Sequence, residues 1–169
     1  MAFSNIFNEN DMITLQNLLR ARNETITTAE SCTGGLVAHM ITQIAGSSDI
    51  FNGAIVSYSN NIKSKELGVK EDTLKKYGAV STQTVEEMLE GAIKKFDATY
   101  AIAISGIAGP QGGCKDKPVG TVVIGICNNN KKSIIKVNKF DGDRKDIQNL
   151  ASQTSLKEIL KFLQKKLDK

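Results

Sequence analysis

Two hydrophobic rhythms run along this chain, a 3.6-residue spacing that marks helices and short apolar runs that mark buried strands. Met12, Leu15, Leu18 and Leu19 form the first helical stripe, which predicts a helix ending near Arg22 and Asn23. The short β-branched run 24–29 reads as a strand, after which Leu36, Val37, Met40, Ile41 and Ile44 return to helical spacing until Gly46 closes the segment. Residues 51–58 read as a second buried strand, 60–67 as a helix stopped by Gly68, and 73–77 as a further small helix. A longer helix is predicted to begin near 81–84, where Thr84 and Glu87 have capping-box spacing, with Met88, Leu89, Ala92 and Ile93 on its apolar side. The wholly apolar run 100–105 looks like a strand covered on both faces. Segments 121–127 and 133–140, joined by the turn-rich residues 128–130, read as a hairpin, and from 143 onward the pattern is helical nearly to the end. Strands alternating with helices, plus one hairpin, predict a single α/β domain over 1–169. Its architecture is a three-layer α/β/α sandwich with a mixed, mostly parallel sheet.

Composition narrows the class. At 169 residues, 40% hydrophobic and 24% charged, the chain suffices for one full core. No apolar run reaches membrane-spanning length, and the N-terminus shows no basic region followed by an apolar core, so a cytoplasmic protein is expected. The net charge of +4 rests largely on lysine pairs such as Lys75-Lys76, Lys94-Lys95 and Lys131-Lys132, and on the tail from Lys157 to Lys169. No aromatic residues interleave with them, so neither nucleic acid nor a membrane is an expected partner. Cys32, Cys114 and Cys127 are odd in number and widely spaced, which argues against a disulfide framework and against a metal site.

Chemistry concentrates where the first strand gives way to the second helix, at Thr28-Ala29-Glu30-Ser31-Cys32-Thr33-Gly34-Gly35. A serine on such a turn is expected to be exposed, beside helical N–H groups that point outward toward an anion or an oxyanion. The same pattern also suits an ordinary loop with a Ser/Thr cap. The single histidine, His39, lies eight residues along the same predicted helix, about 12 Å from Ser31 along its axis at ~1.5 Å per residue. It therefore serves as base neither to Ser31 nor to Cys32. Tyr58, Asn60 and Lys63 follow the second strand, and parallel strand ends share one sheet edge, so this cluster can face Ser31. Lys63 is then the candidate base, provided the site removes it from water or sets positive charge beside it, since an exposed lysine titrates near 10.4. The alternative is a solvated lysine on a short helix. A Ser-x-x-Lys spacing is absent at Ser31 and occurs only at Ser133 and Lys136, whose side chains face opposite ways on a strand.

The glycine-rich loop 106–113 lacks the Lys-Ser/Thr ending of a P-loop and opens no obvious helix, so it is no triphosphate or dinucleotide site. Its glycines permit close backbone approach to a ligand, unless it is simply a surface loop. Arg144, in Gly142-Asp143-Arg144 at the last helix start, is a candidate phosphate ligand.

Seven ordered motifs resemble the CinA C-terminal domain family over about residues 10–165. They are residues 29–35, Gly46-Ser47-Ser48, Tyr58-Ser59-Asn60 with Lys63, Gly78-Ala79-Val80-Ser81, residues 105–110, residues 117–122 and Gly142-Asp143-Arg144. The resemblance implies hydrolysis of nicotinamide mononucleotide to nicotinate mononucleotide and ammonia in pyridine nucleotide recycling, without a cofactor. It implies a Ser/Lys mechanism in which Ser31 is the nucleophile, Lys63 the base and Tyr58 an assistant, with backbone amides at Thr33, Gly34 and Gly35 as oxyanion donors. Ser48, Asn60, Ser105, Gly106, Gly109 and Arg144 join these amides as substrate-binding residues. A small nucleotide substrate and a homo-oligomer, preferably a dimer, are the expected partners, and the chain reads as the stand-alone form without the family's additional N-terminal domain. Ala45 stands where a proline is common, Ser105 replaces a frequent threonine and Cys114 lies in a variable part of the glycine loop. The competing class is a non-catalytic nucleotide-binding or regulatory module, which would use the 106–113 loop and Arg144 without needing Ser31.

Overall fold

Local capping and side-chain alternation set most of the element boundaries. The computed structural model describes residues 4–165, so the start of the chain and the last four residues of the lysine-rich tail lie outside the described residues. Helix α1 (Glu9–Ala21) opens on a capping box in which Asn8 and Asp11 each accept the other's backbone N–H, and it turns Met12, Leu15 and Leu19 inward. The strands are β1 (Ile26–Glu30), β2 (Phe51–Val56), β3 (Tyr100–Gly106), β4 (Thr121–Asn128) and β5 (Ser133–Lys139). They form one sheet in the order β2-β1-β3-β4-β5. β1 pairs in parallel with both β2 and β3, while β3–β4 and β4–β5 are antiparallel, so β4 alone runs against the rest. The hairpin and the mixed sheet are as expected.

Five further helices complete the layers: α2 (Leu36–Thr42), α3 (Asn60–Leu67), α4 (Glu71–Tyr77), α5 (Thr82–Phe96) and α6 (Arg144–Gln164). β3 shows why both faces are covered. Ile102 and Ile104 enter the core shared with α1, α2 and α6, whereas Ala101 and Ala103 enter the core shared with α3 and α5. The alanine side lets α5 lie close. At Gly125 a Cβ would come within 2.6 Å of Val85 and 2.8 Å of Leu89, so a side chain there would push the helix off the sheet.

Several local expectations need correction. β2 is an edge strand, half-buried and ending at Val56, because only β1 pairs with it. α2 ends at Thr42, leaving Ile44 beyond it. Ser81, rather than Thr84, caps α5, and Glu87 instead accepts from the Lys70 N–H (2.8 Å) and the Thr73 hydroxyl (2.8 Å), tying α4 to α5. No helix among the described residues is long and apolar enough to cross a membrane. The parallel strands β1, β2 and β3 end together at Glu30, Val56 and Gly106, and the loops that follow them share that edge.

Candidate active site

Ser31 is the first residue past β1, and the sheet ladder runs on around it. Its N–H donates to the Ile104 carbonyl at 2.9 Å, while the Ser57 N–H donates to the Glu30 carbonyl at 2.7 Å. These bonds hold the tips of β1, β2 and β3 in register one residue beyond the strands. α3 then starts at the Ser59 cap, whose hydroxyl accepts the Ile62 N–H, and its first turn delivers Lys63 back under the strand end. Lys63 is 1% exposed. Its Nζ donates to Ser31 Oγ at 3.0 Å and to the Ser57 carbonyl at 2.7 Å. Burial pulls its pKa from 10.5 down to about 8, against a smaller opposing pull from Cys32. The lysine is therefore no solvated surface group. It is an amine that gives up its proton far more readily than a free lysine, in hydrogen-bond contact with a hydroxyl.

Ser31 itself is only 8% exposed, which corrects the expectation of an open side chain. Cys32 is buried beside it, and burial above all pushes its thiol up to about 12, so it holds no thiolate at neutral pH. His39 is exposed on α2, as the helical spacing predicts.

The helix N-terminus behind Ser31 differs most from expectation. Its N–H groups do not point outward: the fully buried carboxylate of Glu30 accepts those of Gly35 (3.0 Å), Val37 (3.1 Å) and Ala38 (2.9 Å). The same carboxylate accepts the hydroxyls of Thr33 (2.7 Å) and Thr28 (3.2 Å). The Gly34 N–H goes to the Ser31 carbonyl. Gly34 and Gly35 are thus spent internally and cannot serve as oxyanion donors, and the Thr33 hydroxyl is spent as well. The N–H groups of Cys32 and Thr33 go neither to the carboxylate nor to a main-chain carbonyl among the described residues. Gln148 of α6 braces the turn from the other side, donating to the Cys32 carbonyl at 2.8 Å.

A cavity of about 250 Å³ opens over Ser31 and Lys63. Tyr58, Asn60, Ser105, Gly106, Gly109 and Arg144 all line it. Tyr58 is 60% exposed at the mouth, and its hydroxyl accepts from Arg144 Nη2 at 2.6 Å, while Arg144 Nη1 donates to the Gly109 carbonyl at 2.7 Å. One guanidinium thus bridges the glycine loop and the residue before the α3 cap. Ser105 donates its hydroxyl to the Ala79 carbonyl (2.7 Å) and holds the 78–81 segment against the cavity. Gly109 has φ +79°, and a Cβ there would lie 2.5 Å from Val119, so the loop needs glycine at that point. Ser48 does not join the site. It sits in the 3₁₀ turn Ser47–Asp49 that leads into the start of β2, at the opposite edge of the sheet. Roomier grooves of about 400 and 470 Å³ lie elsewhere, but neither sets a nucleophile against a base.

Glu30 and Gln148 are the structural supports that sequence reasoning missed. A signal existed for Glu30, since it stands between Thr28 and Thr33 at a strand-to-helix turn with capping chemistry on both sides. Gln148 carries no local signal, because its contact spans 116 residues. Among the described residues no group of three or more His, Cys, Asp or Glu side chains is placed to hold a metal ion.

Comparison with known proteins gives a consistent picture. Residues 9–163 match the CinA C-terminal domain. The chain is 48% identical over 147 residues to the nicotinamide-nucleotide amidohydrolase PncC of Escherichia coli K12, covering 86% of this chain and 89% of that protein. It is 47% identical over 149 residues to a CinA-like protein of Thermotoga neapolitana, covering 88% of this chain but 36% of that relative. The chain thus spans little more than a third of the length of such CinA-like relatives. Among solved structures it resembles competence damage-inducible protein A (ComA) of Klebsiella pneumoniae, with a TM-score of 0.88 at 32% identity, covering 91% of this chain and 95% of that one. It likewise resembles competence/damage inducible protein CihA of Agrobacterium tumefaciens, with a TM-score of 0.86 at 36% identity, covering 94% and 98%.

Proposed function

The chain belongs to the CinA C-terminal domain family, and on that premise we propose that it is a nicotinamide-nucleotide amidohydrolase working through Ser31 and Lys63. The observation that carries this reading is the 3.0 Å contact between a serine hydroxyl and a buried lysine whose pKa is drawn down to about 8. A binding module needs no such pair.

In the proposed reaction the neutral amine of Lys63 takes the Ser31 proton as Oγ attacks the carboxamide carbon of nicotinamide mononucleotide. The carbonyl oxygen becomes an oxyanion, for which the Cys32 and Thr33 N–H groups are the available donors on the turn. Collapse of this intermediate breaks the C–N bond, and Lys63 returns the proton to the leaving nitrogen, so ammonia departs and an acyl-Ser31 ester remains. Lys63, neutral again, deprotonates a water that attacks the ester. Nicotinate mononucleotide is released and the proton goes back to Ser31. Tyr58 assists from the mouth, where Arg144 orients its hydroxyl, and Arg144 faces the nucleotide phosphate. Cytoplasmic residence and association into a homodimer belong to the same proposal.

The test is ammonia release measured across nicotinamide mononucleotide, its riboside and unrelated amides, with Ser31→Ala and Lys63→Arg beside the wild type. Ser31→Ala is expected to lower kcat by about three to six orders of magnitude with KM little changed. Lys63→Arg retains a positive charge but surrenders no proton at usable pH, so it is expected to be nearly as inactive. Substantial turnover by the arginine variant would refute the Ser/Lys mechanism, and no ammonia from any amide would refute the activity itself.

A further inference from the structure

Glu30 uses both of its ends. Its side chain is fully buried, and five donors converge on it: the N–H groups of Gly35, Val37 and Ala38 and the hydroxyls of Thr28 and Thr33. Every one of these partners is a neutral group, so the charge is held by aligned dipoles at the start of α2. The main-chain carbonyl of the same residue accepts the Ser57 N–H at 2.7 Å, and Ser57 in turn offers its own carbonyl to Lys63 Nζ at 2.7 Å. The side chain therefore fixes the turn that begins with the nucleophile, and the backbone fixes the residue that aims the base.

We propose that Glu30 is a positioning residue for the reaction, a buried carboxylate that locks the 31–35 turn so that Ser31 Oγ stays within reach of Lys63 Nζ. It also determines where the substrate's negative charge goes. With the α2 N–H groups filled from inside the protein, neither the phosphate nor the oxyanion of a bound nucleotide competes for them, and the phosphate is left to the Arg144 side of the cavity. This inference rests on the amidase reading for its substrate, but the geometry it claims, that of Ser31 against Lys63, is also read by labelling Ser31, which needs no nucleotide.

Glu30→Gln keeps the shape of the side chain while placing an amide NH₂ among groups that are all donors, so the turn must shift. Misplacement of a reacting group by about 1 Å costs on the order of 100-fold in rate. The expected result is a kcat about 100-fold below wild type with KM within about twofold. Labelling of Ser31 by a fluorophosphonate, in which Oγ displaces fluoride at phosphorus and Lys63 takes the proton, should slow by a similar factor. Thr33→Val, which removes one of the five donors, serves where the glutamine variant fails to fold, and is expected to lower both rates about tenfold without moving KM. The control is Gln16→Ala. Gln16 is buried and donates to the Ile41 carbonyl (2.9 Å) at the far end of the same helix, so its loss should lower Tm without lowering kcat. The proposal is overturned if Glu30→Gln, or Thr33→Val in its place, retains wild-type labelling and kcat, or if Gln16→Ala loses as much activity at an equal loss of Tm. Labelling of wild-type Ser31 without ammonia release would instead overturn the choice of substrate and leave the Glu30 comparison intact. Failure of wild-type Ser31 to label overturns both.

Discussion

Lys63 is costly to the fold at the pH where its neighbour needs it. An amine that titrates at 10.5 in water and at about 8 in the folded protein binds its proton more weakly when folded. Below about pH 8 both states carry the proton, and the folded state bears the full cost of a buried charge, roughly 3 kcal/mol by the difference in pKa. Between about 8 and 10.5 the unfolded chain still holds the proton that the folded one has released, so stability from this group rises with pH. In Lys63→Met the term is gone, although the Ser31 hydroxyl and Ser57 carbonyl lose their donor. Wild type is therefore expected to gain on the methionine variant by up to roughly 3 kcal/mol as pH rises through that window, read from urea midpoints at the two ends. In the wild type, kcat/KM should climb toward pH 8 and level above it, since the neutral amine is the competent form. A profile flat from pH 6 to 9, or a stability difference that does not move, would show that Lys63 is not the titrating base.

At the scale of elements, the site is a meeting of strand ends with the loops and helices beyond them, and this decides what could be read in advance. The helical stripes, the β-branched runs and the hairpin were legible because each is a periodic pattern within one segment, and the shared edge of parallel strands brought Ser31 and Lys63 into view together. What escaped were arrangements decided by distant partners. β2 looked buried because its residues are apolar, but whether a strand lies at an edge depends on pairing that no local pattern records. The Thr84–Glu87 box failed because α4 supplied Glu87 with better donors. The outward N–H groups of α2 failed for a local reason instead, because Glu30, one residue before Ser31, had already taken them. Arg144 shows the same cooperation between elements. It stands at the first position of α6, just past the Asp143 cap, and ties Tyr58 to Gly109 across the rim of the cavity. Arg144→Ala should raise KM for the nucleotide chiefly, by about 10-fold or more with kcat little affected, and should leave KM for the riboside nearly unchanged. Equal effects on both substrates would assign Arg144 to holding the loop rather than to the phosphate.

At the scale of the whole molecule, the groups able to bind a metal among the described residues are either spent or scattered. His39 is exposed on α2 and does not line the cavity over Ser31. Cys127 is buried on the α5 side of the sheet, and burial pushes its thiol up to about 12, as it does for Cys32 next to Ser31. A metal must displace a proton from such a thiol before it can bind. The acidic group nearest the nucleophile, Glu30, has both oxygens taken by internal donors. In the proposed reaction the cationic work at the cavity belongs instead to Arg144 at the mouth and to the ammonium that Lys63 would become during attack, one for the phosphate and one for the reacting amide. Activity measured after dialysis against a chelator is accordingly expected to match the untreated enzyme, and added divalent ions should not raise kcat. Loss of turnover on chelation, restored by a divalent ion, would mean that an ion reaches the cavity on the substrate's own phosphate, and that Arg144 is a partner to that ion rather than the phosphate's sole counter-charge.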